Sequence, residues 1–166
     1  MDNTPEYDKV WDRVYNELGF KPGMNESKPF TLEMPYCVYD ISAMQGEGFD
    51  ALDDKLETVS KEIFARITPE GGRVYALDWH HSASLYDPRD PEEQKDFWVE
   101  DARYLGGGYN FYFPSFYPDG DYYFFIAEDF SFGFLGHPWR QEVWIFGEKL
   151  ISEYEAVYKE FGWVKK

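Results

Sequence analysis

The chain has 166 residues, a length that suits one domain. Its 32 acidic residues outnumber 16 basic ones, giving a net charge of −16, and aromatics make up 21% of the sequence. So many aromatics exclude a disordered chain, and so anionic a body repels nucleic acid and anionic membrane while attracting cationic surfaces.

The first residues, Met1 to Glu6, are acidic and lack the apolar run of a secretory signal. No stretch approaches the ~20 apolar residues that cross a bilayer, so the expected location is cytoplasmic. A helix is predicted over 5–18, with Thr4 as N-cap and Pro5 at the first helical position. Tyr7, Val10, Trp11, Val14, Tyr15 and Leu18 fall on one stripe. Gly19 stops it, and Phe20 can fold back on Tyr15. Residues 21–35 carry Pro22, Gly23, Pro29 and Pro35 and read as an irregular connection.

Tyr36 to Ile41 reads as a strand. It holds the single cysteine, Cys37, which excludes an internal disulfide and reads as a buried structural thiol. A second helix is predicted over 50–67, capped by Asp50, with Leu52, Leu56, Val59, Ile63 and Ile67 inward and Thr68-Pro69 as its stop. Arg73 to His80 reads as a strand with Val74, Ala76 and Asp78 on one face and Tyr75, Leu77 and Trp79 on the other. Residues 82–91 read as a loop, and a short helix is predicted from Asp90 toward Trp98. Gly106-Gly107-Gly108 breaks the chain. Tyr109–Tyr117, Asp121–Ala127, Phe132–Leu135 and Glu142–Phe146 then read as successive antiparallel strands, and a last helix runs from Glu148 to Phe161. The expected class is α+β: one domain over 1–166, mainly antiparallel sheet, with about three helices packed on one face.

Chemistry is sparse. Of the three histidines, His80 and His81 are adjacent and would point to opposite faces of a strand, and His137 lies in Gly-His-Pro-Trp. A site built from His80 or His81, His137 and Asp78 is one alternative, as an enzyme with or without a metal. No zinc spacing is present, so neither metal nor cofactor is expected. There is no Gly-x-Ser-x-Gly elbow, and Gly106-Gly107-Gly108 lacks the lysine of a phosphate loop. Asp119-Gly120-Asp121 is only a fragment of a calcium loop, because aromatics follow where oxygen ligands should stand.

What survives is a local acid excess. From Asp87 to Asp129 there are 11 acids and 3 bases, interleaved with Trp98, Tyr104, Tyr109, Tyr112 and Tyr117. Tyrosine and tryptophan are favoured interface anchors, and carboxylates beside them steer a basic partner. The expected partner-binding residues are Asp87, Asp90, Glu92, Glu93, Trp98, Glu100 and Asp101, with Tyr117, Asp119 and Asp121 of the following turn. The expected partner is a basic protein, not nucleic acid or membrane. A small-ligand binder with an aromatic pocket is a further alternative.

Three blocks carry a resemblance: Val74-Tyr75-Ala76-Leu77-Asp78-Trp79-His80, then Phe116-Tyr117-Pro118-Asp119-Gly120-Asp121-Tyr122-Tyr123, then Phe132-Gly133 with Gly136-His137-Pro138-Trp139 and Phe146-Gly147-Glu148. In combination they resemble the bacterial domain-of-unknown-function family 2716, which implies kinship but no reaction. Small acidic bacterial domains of this kind resemble immunity proteins, which neutralise a toxin domain such as a nuclease by covering it. That analogy of class implies a non-catalytic inhibitor.

Overall fold

A computed structural model describes residues 6–166, so Thr4 and Pro5 lie outside the described residues. The chain runs through α1 (Tyr7–Arg13) into a π-helical turn, Val14–Leu18, closed by Gly19 in a left-handed conformation. Three segments follow, β1 (Tyr36–Asp40), α2 (Phe49–Ile67) and the hairpin of β2 (Val74–Asp78) with β3 (Ser82–Tyr86). The short strands β4 (Phe97–Glu100) and β5 (Gly108–Phe111) come next. The meander β6 (Tyr123–Ala127), β7 (Gly133–His137) and β8 (Glu142–Phe146) leads to α3 (Glu148–Glu155), a 3-10 turn at Tyr158–Phe161 and β9 (Val164–Lys165).

Seven strands form one antiparallel sheet in the order β3-β2-β6-β7-β8-β1-β9, and β4 pairs only with β5. The α+β class and the three helices are as expected. The helices divide between the two faces, however. Leu56, Ile63 and Phe64 of α2 and Leu150 and Tyr154 of α3 pack with Val74, Ala76, Phe125, Phe134 and Ile145. Val10, Trp11, Val14 and Leu18 pack on the other face with Tyr75, Leu77, Phe124, Ile126 and Leu135. With both faces covered, the central strands need apolar residues at every position. Phe124-Phe125-Ile126-Ala127 is accordingly buried throughout. Phe116 stacks on Phe125 with ring centroids 3.9 Å apart. Such a pair adds roughly 1 kcal/mol to the burial of its rings.

Gly133 is fixed by its cross-strand partner Phe146. The Phe146 ring lies where a side chain at 133 would stand, with one ring atom 2.3 Å from the Cβ position. The ring covers a backbone that glycine leaves bare.

Several elements depart from expectation. Residues 82–86 form strand β3 rather than loop, since pairing with β2 overrides the weak strand preference of Ser82-Ala83-Ser84. The helix predicted toward Trp98 shrinks to a 3-10 turn at Pro91–Gln94, with Asp90 accepting a hydrogen bond from the Glu92 N–H. The chain after it is strand β4. The strand predicted over 109–117 ends at Phe111, before Pro114. Helix α2 starts one residue before Asp50, behind Gly48, and α3 stops at Glu155. No helix among the described residues is long and apolar enough to cross a membrane.

Candidate functional site

Strands β4 and β5 form a two-stranded arm outside the main sheet, with Phe97 opposite Phe111 and Trp98 opposite Asn110. Phe97 stacks on Phe111 at 4.5 Å, and Trp98 packs so closely over Gly108 that a Cβ there would strike its indole. The base is tied down where the Phe113 N–H donates to Asp96 Oδ1 at 2.8 Å and the Phe113 ring meets Tyr86 at 5.0 Å. Beyond that base the arm exposes apolar surface. Phe97, Trp98, Tyr104 and Tyr112 are all exposed, and Leu105 at the tip is fully so. So many large apolar side chains left in water within one short stretch of chain make the arm the candidate contact surface.

Between the arm and the β2–β3 turn lies a cleft of about 710 Å³, lined by Tyr7, His80, Tyr104, Tyr109, Phe111 and Tyr112 among others. Asp78 and His81 line it as well, and the turn brings them together. His80 adopts a left-handed conformation with φ 69°, and its ring lies tilted against Trp79 with centroids 3.8 Å apart. The chain thereby reverses, and the His81 N–H donates to the Asp78 carbonyl at 3.0 Å. The His81 ring places Nδ1 3.1 Å from Asp78 Oδ1 and 3.5 Å from Asp121 Oδ2. Asp121 arrives because Asp78 pairs with Tyr123 across β2 and β6, two residues from Asp121. Its Oδ1 accepts from the Tyr122 N–H at 2.9 Å, which leaves Oδ2 toward the ring.

Electrostatics follow from this grouping. Burial pushes the Asp78 carboxyl up, His81 draws it back, and the charge of Asp121 adds to the rise. The hydrogen bond to Asp78 pushes the His81 imidazole up. Burial, then the charges of Asp78, Asp119 and Asp121, push the Tyr123 hydroxyl to about 12.

His137 is absent from this group. Asp78 continues the series Val74 and Ala76 toward α2, whereas His137 continues the series of Leu135 toward α1. His137 is fully buried, its Nε2 lies 3.2 Å from the Tyr122 hydroxyl, and its Nδ1 accepts from the Arg140 N–H at 3.2 Å. The group of possible metal ligands found among the described residues is Asp78, His81 and Asp121, and His137 stands on the other face of the sheet. Burial lowers its pKa, which suits a neutral, structural imidazole.

The predicted partner-binding residues separate into two groups. Asp87, Asp90, Glu92 and Glu93 lie in the segment whose Pro88, Arg89 and Pro91 border α2, and their charges are largely occupied. Asp87 pairs with Arg89 at 3.0 Å, Glu92 with Lys95 at 2.7 Å, and Glu93 with Arg73 at 3.0 Å. Glu93 also accepts the Asp87 N–H, with its side chain only 14% exposed. Trp98, Glu100 and Asp101 belong to the arm, where Asp101 is chelated by Arg103 at 2.7 Å. Tyr117 packs edge-on against Phe49 at 4.9 Å and donates to Gln141, so it is partly structural. Asp119 is exposed, and Asp121 joins the cleft through His81. Phe97 and Leu105 were not among the predicted site residues, and His81 and Asp78 were expected only in a site shared with His137. Leu105 carries a readable signal, being a large apolar residue just before three glycines.

Comparison with known proteins matches residues 3–151 to the family described as Protein of unknown function (DUF2716). The chain is 32% identical over 152 residues to the uncharacterized protein YxiI of Bacillus subtilis (strain 168), covering 87% of this chain and 85% of that one. No solved structure matches it. The chain belongs to the DUF2716 family.

Proposed function

We propose that this family member is a non-catalytic binding protein of the cytoplasm that docks a basic protein surface, in the manner of an immunity protein covering a toxin domain. One observation carries the reading: the β4–β5 arm turns Phe97, Trp98, Tyr104, Leu105 and Tyr112 outward instead of burying them. These side chains supply the stiff, desolvatable contact area on which interface energy concentrates. Net charge of −16 supplies long-range attraction for a cationic partner. Among the predicted acids, Glu100 on the arm and Asp119 in the turn before β6 are exposed and hold no arginine or lysine, which suits them to steering. Asp87, Glu92 and Glu93 already hold arginine or lysine, so they contribute less to steering than their number suggests.

The test is binding of the purified chain to basic toxin-type domains encoded beside its gene, at several salt concentrations. Tight binding that weakens with salt, and falls at least tenfold in the double variant Trp98→Ala, Tyr112→Ala, is expected. Binding that ignores the arm substitutions sinks the docking surface. Failure to bind any such domain sinks the immunity reading.

A further inference from the structure

We propose that Asp78, His81 and Asp121 form a three-ligand site for a divalent first-row transition cation such as Zn²⁺, open toward the cleft. One ligand atom from each residue lies within 4.8 Å of the others. Nitrogen and oxygen ligands ~2.1 Å from a common ion stand ~3.0 Å apart at a right angle and ~3.4 Å apart at the tetrahedral angle. The observed separations from His81 Nδ1, 3.1 Å to Asp78 and 3.5 Å to Asp121, fall at these values. A single imidazole N–H shared between carboxylate oxygens of two residues makes only a divided, weaker three-centre bond. An ion in place of that proton serves both.

Charge points the same way. The Asp78 and Asp121 side chains are only 16% and 14% exposed, and among the described residues His81 is their sole ion-pair partner. Two carboxylates drawn out of water beside one weak base form an under-neutralised group, and a dication corrects it. One imidazole with two carboxylates is a borderline-to-hard ligand set, suited to Zn²⁺, Mn²⁺ or Co²⁺ rather than to thiophilic ions. Because Asp78 and His81 line the cleft, remaining coordination positions on that side can take water or a donor from a bound partner, unlike a closed structural site.

The proposal stands apart from the docking reading, since it concerns the chain alone. The experiment titrates tag-free protein with Zn²⁺ by calorimetry and with Co²⁺ by visible absorption. One ion per chain is expected, with a Co²⁺ spectrum that His81→Ala abolishes. Asp121→Asn should weaken Zn²⁺ at least tenfold, while Asp119→Asn, an exposed acid two residues away, should leave it unchanged. Circular dichroism checks each fold, and Asp121→Asn decides if His81→Ala fails to fold. No saturable uptake of either ion overturns the site. So does equal affinity in Asp121→Asn and wild type, or equal loss in Asp119→Asn, which would mean diffuse attraction to surface acid.

Discussion

Glu57 offers a sharp test of how burial sets stability in this fold. It lies on α2, where its Oε1 accepts the Phe116 N–H at 2.5 Å. Burial, reinforced by the nearby charge of Asp53, outweighs that hydrogen bond and pushes its carboxyl from 4.5 to about 7. In the unfolded chain the group ionises near 4.5. Below that pH both states hold the proton and the group costs nothing. As pH rises toward 7 the unfolded chain releases the proton first, so stability falls, and the full penalty stands above pH 7. Moving a carboxyl that far corresponds to ~3 kcal/mol. Because Glu57 keeps some solvent contact, about 2 kcal/mol is the expected cost. Glu57→Gln retains an oxygen for the Phe116 N–H and removes the charge. Urea denaturation followed by tryptophan fluorescence should find the variant about 2 kcal/mol more stable at pH 8, a rise in Tm of roughly 4–8 °C. The gap should shrink below ~1 kcal/mol at pH 5. A gap that does not change with pH, or a variant less stable at pH 8, refutes the reasoning.

Gly133→Ala should cost about 2–3 kcal/mol in thermal or chemical denaturation, because the Phe146 ring occupies the space the methyl group needs. Leu105→Asp should shift stability by no more than ~0.5 kcal/mol, since nothing covers that tip, although it removes apolar surface from the proposed interface. Burial pushes the Cys37 thiol up, so the native protein at pH 8 should resist a thiol reagent that labels it fully in denaturant. For His137, whose pKa burial lowers, the unfolded chain takes up a proton that the fold refuses. Its contribution therefore stands above pH 6.5 and is lost as pH falls further. The stability difference between wild type and His137→Gln should accordingly narrow between pH 7 and pH 5.

Much of this fold was legible in the sequence because its signals are local. The stripe Val10, Trp11, Val14 and Leu18, the alternation from Val74 to Leu77, and the turn between β6 and β7 each declare themselves within a few residues. The placement of helices on two faces was harder to see. The unbroken apolar run of β6 pointed to it, since a sheet with one wet face would have alternated. Strand β3 was hidden because Ser-Ala-Ser carries little strand preference, and only the neighbouring β2 makes it one. The cleft was hidden for a different reason. His81 and Asp121 lie forty positions apart, and they meet only through the β2–β6 register and the left-handed turn at His80. On a regular strand His80 and His81 would have diverged; the turn removes that constraint.

Two residues, Val164 and Lys165, pair with Asp40 and Tyr39 and so cap the outer side of β1. The Lys166 N–H extends the ladder to the Val38 carbonyl, and its amine pairs with buried Glu142. This short, lysine-bearing ribbon works as a stopper. Trimming it would bare a five-residue strand with apolar neighbours, a template for one molecule to stack on the next. Chains shortened here should clump on concentration while their helices stay intact, so light scattering, not circular dichroism, would register the damage.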